Sequence, residues 1–174
     1  MAANAKRVAT EKCDMRRRNL IAGAALFGAA PLVARAASAA SASIVERFAE
    51  TLTAHDLIAF AALFADDYVN HQMSAAAPPP RGVPPKTATV GFFDVRLRAM
   101  PDLKVSVQQS LTEGDLVAAS FSYEGTHKGV YYGFEPTGRK LSFTSCDIFR
   151  VAEGKFAEHW GMGDIAGVIA QLKG

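Results

Sequence analysis

The chain has 174 residues, of which 49% are apolar and 21% are charged. This composition favours one folded domain with a hydrophobic core and excludes an intrinsically disordered chain. The formal net charge is +2 overall, but from residue 37 onward 12 Lys and Arg stand against 15 Asp and Glu, which gives −3. Without its first residues the protein therefore has no electrostatic basis for binding nucleic acid.

Residues 1–40 have the three parts of an export signal. The basic stretch Arg16–Arg18 precedes 14 mostly apolar residues, 20–33, and small residues of Ala-x-Ala form follow. The apolar run falls short of the roughly 20 residues that a membrane-spanning helix needs. Arg17-Arg18-Asn19-Leu20-Ile21 resembles the twin-arginine export motif. We therefore expect a cleaved signal and a folded domain of residues 41–174 in the periplasm or outside the cell. An ordinary secretory signal and an uncleaved anchor are the alternatives.

Helical spacing of apolar side chains predicts three helices in the first part of the domain, over Ser43–Thr53, Leu57–Phe64 and Thr87–Met100. Asp56 is placed to cap the second helix, and Pro101 ends the third. Between these helices, Tyr68–Gln72 is predicted to be extended. Met73–Pro85 has too many prolines for a helix or an interior strand and is predicted to be a loop.

From Leu103 onward apolar and polar side chains alternate, which is typical of strands. Four such segments follow one another, two of the turns between them are Glu113-Gly114-Asp115 and Glu153-Gly154, and Asp164 is placed to cap a last short helix. Three helices followed by a four-stranded antiparallel meander predict an α+β fold. In such a fold a curved sheet wraps over the helices and encloses a cavity.

The last hairpin carries the candidate chemistry. If its turn has two residues, Asp147 lies opposite Trp160 and Phe149 lies opposite Glu158, all on one largely apolar face. Two acids in an apolar hollow raise at least one carboxyl pKa through desolvation and mutual repulsion. Such a carboxyl can work as both general base and general acid. A single bulge would change this register and bring His159 to the pocket face instead.

Each candidate also has a structural explanation. Asp147 can pair with an arginine such as Arg139, and Glu158 can be solvated at the rim of the sheet. His127 shares the face of the apolar positions of its strand, where a core histidine explains it as well as a catalytic one does. Asp164 can be a catalytic acid or only a helix cap. Further candidates to line the pocket are Tyr68, Asn70, His71, Tyr123 and Phe143.

Several other chemistries lack their motifs. No G-x-G-x-x-G or Walker A sequence is present for a nucleotide, no H-E-x-x-H or Cys/His spacing for a metal, and no G-x-S-x-G elbow for a serine hydrolase. The sequence therefore predicts no metal and no cofactor. Acid–base chemistry in a pocket, binding of a small apolar molecule without chemistry, and a pure dimerisation module remain as explanations.

Several segments resemble the SnoaL-like polyketide cyclases, or ester cyclases, of the NTF2-like superfamily. The matching segments are Arg98–Leu103, Gly125–Gly129, Pro136–Arg139, Asp147–Arg150, Gly154–Trp160 and Asp164–Leu172, with a looser match over Phe64–His71. The resemblance implies a cone-shaped α+β barrel in which N-terminal helices pack on a curved antiparallel sheet around a deep apolar pocket. It also implies a homodimer formed through the outer face of the sheet.

The resemblance implies an activity as well. Members of the family close a ring in polyketide esters by intramolecular aldol condensation without a metal or cofactor. An aspartate there removes the proton alpha to a carbonyl and returns one to the new alkoxide, a role that falls here first to Asp147 and then to Asp164. Tyr68 and Asn70 also resemble the water-positioning pair of epoxide hydrolases in the same superfamily, which carry an aspartate where this chain has Met162.

Together these observations predict an exported enzyme that performs acid–base chemistry, such as cyclisation or isomerisation, on a small apolar carbonyl compound. Asp147 is the predicted acid and base, and His127 and His159 are predicted to orient or polarise the carbonyl. Trp160 is expected in the pocket wall with the aromatic residues named above. The alternative is a secreted, non-catalytic binding protein for a small hydrophobic ligand.

Overall fold

The computed structural model describes residues 43–72, 78 and 80–174. The export signal predicted for residues 1–40 lies outside these residues and stays a prediction. Within the described part of the chain, no helix is both long enough and apolar enough to cross a membrane.

The three predicted N-terminal helices are confirmed with small changes at their ends. Helix α1 covers residues 43–53, α2 covers Leu57–Ala62 and α3 covers Pro85–Ala99, while the last helix, α4, covers Ile165–Lys173. Asp56 caps α2 as expected, because its Oδ1 accepts a hydrogen bond from Ala59 N at 2.8 Å. Helix α3 begins earlier than predicted, since a proline fits at the first helical position, where no backbone N–H is needed.

The sheet has five strands where four were predicted. They are β1 (Phe64–Asn70), β2 (Lys104–Glu113), β3 (Leu116–Thr126), β4 (Lys140–Ala152) and β5 (Lys155–Gly163), in the order β1-β5-β4-β3-β2. Strand β1 runs parallel to β5, and the other pairs are antiparallel. The sequence prediction divided β1 between a helix end and a short extended piece. Its register shift between Phe64 and Val69 breaks the period of two on which a strand prediction depends.

The core lies between the helices and the inner face of the sheet. Phe48 of α1 is at its centre, because its ring contacts five others at centroid distances of 4.8–6.1 Å: Phe60, Phe93, Phe121, Phe149 and Phe156. Rings in such tilted and edge-to-face contacts contribute beyond their buried area. The predicted α+β fold, with helices packed on a sheet that contains a four-stranded antiparallel meander, is confirmed.

The β4–β5 hairpin differs from the predicted register by one residue. Its turn is as predicted, with positive φ at Glu153 (51°) and Gly154 (73°), and Val151 pairs with Phe156. Arg150, however, pairs with Glu158 rather than Ala157, so Ala157 is the extra residue of a bulge. Every side chain of β5 beyond this bulge is exchanged between the two faces.

The exchange corrects two predicted pocket residues of β5, Glu158 and Trp160. Asp147 lies opposite Gly161 rather than Trp160, and Phe149 lies opposite His159 rather than Glu158. Glu158 and Trp160 therefore lie on the outer face of the sheet. Trp160 stacks there on His71, with ring centroids 4.6 Å apart and planes within 5°. None of Glu158, Trp160 and His71 lines the cavity described below.

On the outer face Glu158 belongs to an ion-pair cluster. Its carboxylate lies 2.8 Å from His71 Nε2 and 2.8 Å from Arg150 Nε, and Arg150 also contacts Asp115 at 2.6 Å. The hydrogen bond from His71, followed by that from Arg150, lowers the pKa of Glu158 below its usual value. Glu158 is therefore not a carboxyl whose pKa is raised, because it faces cations on the outer surface rather than an acid in an apolar hollow.

The outer face also carries exposed apolar side chains on four different strands, namely Val69, Leu111, Ile148 and Met162. A homodimer formed through this face stays a prediction, and these are the side chains that such a contact would cover.

The lowered pKa of Glu158 predicts that the contribution of its ion-pair cluster to the free energy of unfolding depends on pH. A lowered folded-state pKa means that the contribution is fully present above the unfolded value of 4.5 and is lost as pH falls through the folded-state value. We expect Glu158→Gln to lower the free energy of unfolding at neutral pH and to match the original chain in strong acid. Urea unfolding across this pH range measures the difference.

Glu113→Gln is the matched control, because Glu113 makes no ion pair within the described residues. A difference for Glu158→Gln that persisted unchanged in acid would contradict the assigned cause.

Candidate functional site

A cavity of about 160 Å³ lies between the helices and the inner face of the sheet. Its apolar lining within the described residues consists of Phe48, Phe64, Pro78, Pro80, Ala88, Phe92, Phe93, Phe149, Gly163 and Ile165. Its polar lining consists of Tyr68, Asn70, Gln72, Thr89, Arg96, Tyr123, Ser145, Asp147 and His159. An apolar cavity with a few converging polar groups is the usual form of a small-molecule site.

Asp147 and His159 form a buried pair on the cavity wall. Nε2 of His159 lies 2.8 Å from Oδ1 of Asp147, and the residues are only 7% and 8% exposed. The His159 ring stacks on Phe149 at 4.7 Å and 15°, which fixes its plane. Nδ1 of His159 has no hydrogen-bond partner within the described part of the chain. When Asp147 is ionised it can only accept, so Nε2 carries the shared hydrogen.

Ser145 holds the other oxygen of the carboxylate. Its hydroxyl lies 2.6 Å from Oδ2 of Asp147 and 3.4 Å from the Tyr123 hydroxyl. A serine hydroxyl has one hydrogen, and an ionised carboxylate has none, so Ser145 donates to Asp147. Asp147 is thus oriented from both sides, and each of its oxygens keeps a second lone pair with which to accept a proton.

Gly161 makes the pair possible. It lies directly opposite Asp147 across β4 and β5. A Cβ atom at this position would collide with Oδ1 of Asp147 and with Nε2 of His159. The absence of a side chain lets the carboxylate reach diagonally across the strand to the imidazole, a close approach that glycine permits within a strand.

Two tyrosines bring phenol groups to the same region. Burial raises the pKa of Tyr68, and the charge of Asp147 adds to the rise, although the Thr89 hydroxyl opposes it. Burial also raises the pKa of Tyr123, where Arg96 opposes the rise and Asp147 adds to it. Both phenols are therefore protonated at neutral pH and can donate hydrogen bonds. The Tyr68 hydroxyl has no partner of good geometry among the described residues.

Asn70 lines the cavity and also fixes the end of β1. Its Nδ2 donates to Thr89 Oγ1 at 3.3 Å, which ties β1 to α3, and its Oδ1 accepts from Gln72 N at 2.9 Å. The second contact is the local turn that asparagine commonly makes. Both sequence explanations of Asn70, pocket residue and turn residue, therefore describe its position.

The structure places the remaining candidates away from the cavity. His127 is fully buried, and its Nδ1 contacts Thr137 Oγ1 at 2.9 Å and Thr137 N at 3.2 Å, as in a structural histidine. Asp164 caps α4, with Oδ1 accepting from Gly167 N at 2.8 Å. Phe143 pairs with Tyr123 across β3 and β4 and stacks on it at 5.0 Å and 6°, but it does not line the cavity. The positions of His127 and Asp164 correct their placement among the groups that could meet a substrate.

Sequence reasoning missed two polar lining residues that matter for chemistry, Ser145 and Arg96. Ser145 lies two residues before Asp147 in β4, and residues two apart in a strand point to the same face, so Ser145 could have been assigned to the face of Asp147. Arg96 lies three residues after Phe93 and four before Met100, which places a charge on the apolar side of α3. That interruption of an apolar stripe was the signal for Arg96.

The arrangement suits proton transfer at a carbon next to a carbonyl. It combines an oriented carboxylate, a partnering imidazole, protonated phenols and an apolar wall that limits water. Within the described residues, no three or more His, Cys, Asp or Glu side chains are grouped as a metal site would require.

The chain is similar to known proteins in both sequence and fold. The sequence profile of the SnoaL-like polyketide cyclases matches residues 42–172. IdmH from Streptomyces antibioticus, proposed to be a polyketide cyclase, is 30% identical, with 77% of this chain and 99% of IdmH covered and a TM-score of 0.66. AclR from Streptomyces galilaeus, proposed to be a hydroxylase, is 23% identical, with 78% and 82% covered and a TM-score of 0.67.

A SnoaL-like protein from Jannaschia, also proposed to be a polyketide cyclase, is 20% identical, with 78% of this chain and 92% of that chain covered and a TM-score of 0.65. No curated protein sequence matches the chain. The family profile extends over all described strands and over all described helices except the last residue of α4, and the solved structures share the NTF2-like arrangement of helices on a curved sheet. Membership of this family supports a cyclase- or isomerase-type function. The chain belongs to the SnoaL-like polyketide cyclase family.

Proposed function

We propose that this protein catalyses acid–base chemistry on a small apolar carbonyl compound, by intramolecular aldol cyclisation or isomerisation, with Asp147 as the group that transfers the proton. The observation that carries the proposal is the buried Asp147–His159 pair, 2.8 Å apart on the wall of a cavity rich in aromatic side chains. A carboxylate in such a site meets few competing waters, so its proton transfer is directed to the bound molecule.

In the proposed reaction, Asp147 takes the proton alpha to the substrate carbonyl. The C–H bond breaks, the proton moves to a carboxylate oxygen, and the electron pair becomes an enolate. In a cyclisation, the alpha carbon then attacks a second carbonyl of the same molecule, a C–C bond forms, and Asp147 returns its proton to the new alkoxide. In an isomerisation of a substrate with a beta,gamma double bond, the enolate is conjugated, and Asp147 returns the proton to its gamma carbon.

The neighbouring groups have separate roles. His159 and Ser145 hold the two oxygens of Asp147 and stabilise the ionised form that starts the cycle. Tyr68 is the proposed donor to the enolate oxygen, because its phenol is protonated and otherwise unpartnered among the described residues. Donors placed where negative charge develops are a major source of catalytic acceleration.

Asp147→Asn tests the proton-transfer role without requiring the natural substrate. The probe is 1-tetralone in D₂O, with deuterium incorporation alpha to the carbonyl followed by NMR. We expect the original chain to accelerate exchange above the buffer rate, and Asp147→Asn to lower the acceleration about 100-fold or more, as loss of a general base does.

His127→Gln is the control, because His127 is a buried histidine that does not line the cavity. Its exchange rate is expected to match the original chain in any preparation that remains folded by circular dichroism. If the original chain bound 1-tetralone but did not accelerate exchange, the non-catalytic binding protein would be the better description.

Gly161→Ala tests whether the geometry of the pair matters. The new methyl group would displace both atoms of the Asp147–His159 hydrogen bond, so we expect exchange to fall toward the level of Asp147→Asn while all titrating groups are retained. The comparison variant is Gly91→Ala on α3, where an added Cβ meets nothing within 4 Å.

Gly91→Ala is expected to keep full exchange and to gain about 0.5–1 kcal/mol of stability from its helical position. Normal exchange by folded Gly161→Ala would show that the observed pairing is not needed.

We also propose that the domain works after export, with residues 1–40 removed. The motif Arg17-Arg18-Asn19-Leu20-Ile21 and the short apolar run after it support this. Expression of the full chain in a bacterium with a twin-arginine pathway is expected to give a periplasmic protein whose N-terminal sequence begins near residue 40. Exchange of both Arg17 and Arg18 for Lys is expected to retain it in the cytoplasm, and unchanged export would contradict that route.

A further inference from the structure

Arg96 is a buried cation on the cavity wall that has no acidic partner among the described residues. It is 6% exposed, and its one hydrogen bond within the described structure runs from Nε to the Tyr131 hydroxyl at 2.9 Å. Arg98, one half-turn along α3, is instead 70% exposed and pairs with Asp94 at 2.8 Å. The arginine that is shielded from water is therefore the one that lacks a carboxylate.

Aromatic rings surround the Arg96 guanidinium. Its central carbon lies 4.7–5.1 Å from four ring centroids, those of Phe92, Phe93, Tyr123 and Phe143. These faces attract a cation and hold its plane in place. They do not satisfy its terminal N–H groups, however: the Tyr132 hydroxyl interacts with the guanidinium, but no hydrogen bond of good geometry joins the terminal groups to a described residue.

The charge of Arg96 cannot be relieved by deprotonation, since a guanidinium stays protonated in proteins. A buried charge is costly unless it is paired and hydrogen-bonded. Because Arg96 lines the cavity, a bound molecule can supply the missing partner. The planar fork of N–H groups matches a carboxylate, which it can bind through two parallel hydrogen bonds.

We propose that Arg96 is a carboxylate-binding subsite, and that the ligand of the cavity is an aromatic or similarly apolar carbonyl compound that carries a carboxylate. Three of the rings around Arg96, those of Phe92, Phe93 and Tyr123, line the cavity and would contact the apolar body of this ligand, and the guanidinium would bind its charged end.

The second charged group of the cavity fixes the direction of binding. Tyr123 lies between the two, with its ring face against Arg96 at 4.7 Å and its hydroxyl 3.4 Å from Ser145, which contacts Asp147. The negative charge of Asp147 repels an anion, so the carboxylate lies at the Arg96 end. The carbonyl end of the ligand is then directed toward Asp147. This orientation rests on the proposed function, whereas the preference for a carboxylate does not.

The test compares two probes of nearly equal shape, 2-naphthoate and the uncharged 2-naphthamide, by isothermal titration calorimetry near neutral pH. The original chain is expected to bind 2-naphthoate about tenfold more tightly or better, as a charge-assisted bidentate contact gives. Arg96→Met, which replaces the guanidinium with an apolar side chain, is expected to lose this preference and to keep its affinity for 2-naphthamide.

Arg98→Met is the matched control, because it removes the same charge from the same helix outside the cavity, and it should keep the full preference. Arg96→Lys retains a charge without the planar fork and should keep part of the preference. If Arg96→Met does not fold, Arg96→Lys is the test, and an undiminished preference for 2-naphthoate in this variant would contradict the subsite. Equal binding of both probes by the original chain, binding of neither, or a retained preference in Arg96→Met would overturn the subsite.

The outcome is separable from that of the proposed reaction. Asp147→Asn removes the repelling charge, so it is expected to bind 2-naphthoate at least as tightly as the original chain while losing exchange of 1-tetralone. A protein that exchanged 1-tetralone but showed no carboxylate preference would refute the subsite alone. A protein with the preference and no exchange would refute the catalysis alone.

Discussion

One extra residue in β5 determines which side chains reach the cavity. The bulge at Ala157 lies between Phe156, which still faces the core, and His159, which would otherwise point to the outer surface. Because side chains alternate along a strand, a shift of one residue exchanges every later position between the faces. The same shift brings Gly161 opposite Asp147, where a larger residue would collide with the pair. The bulge and the glycine together therefore create the Asp147–His159 contact.

The helical layer completes the site from the other side. Helix α3 contributes Thr89, Phe92, Phe93 and Arg96 to the cavity, while β4 contributes Ser145, Asp147 and Phe149. A carboxylate on the sheet and a guanidinium on the helix face the same space through an intervening tyrosine ring. In a site of low dielectric constant, fixed charges of opposite sign act strongly on a ligand and define its orientation. The cavity is therefore polarised, although its wall is rich in aromatic side chains.

Much of the fold could be predicted from the sequence because local rules were sufficient for it. The helices follow from apolar spacing and the Asp56 cap, and β2 to β5 follow from alternation and turn residues. Strand β1 could not be recognised, since it pairs in parallel with a strand far along the chain and its pattern is interrupted by Asp66 and Asp67. Long-range pairing and bulges depend on tertiary contacts, and a single sequence contains no local signal for either.

The candidate site was predictable to the extent that its residues lie before the bulge. Asp147, Phe149 and Tyr123 have regular positions in β3 and β4, so their face followed from alternation alone. Glu158 and His159 come after the bulge, and their assignment to the two faces was consequently reversed. Arg96 required a different inference, because a charge within an apolar stripe is costly and needs a compensating partner. Because the described chain supplies no acid for that charge, a ligand carboxylate is the partner that we propose, and an isolated buried arginine then bears on the nature of the substrate.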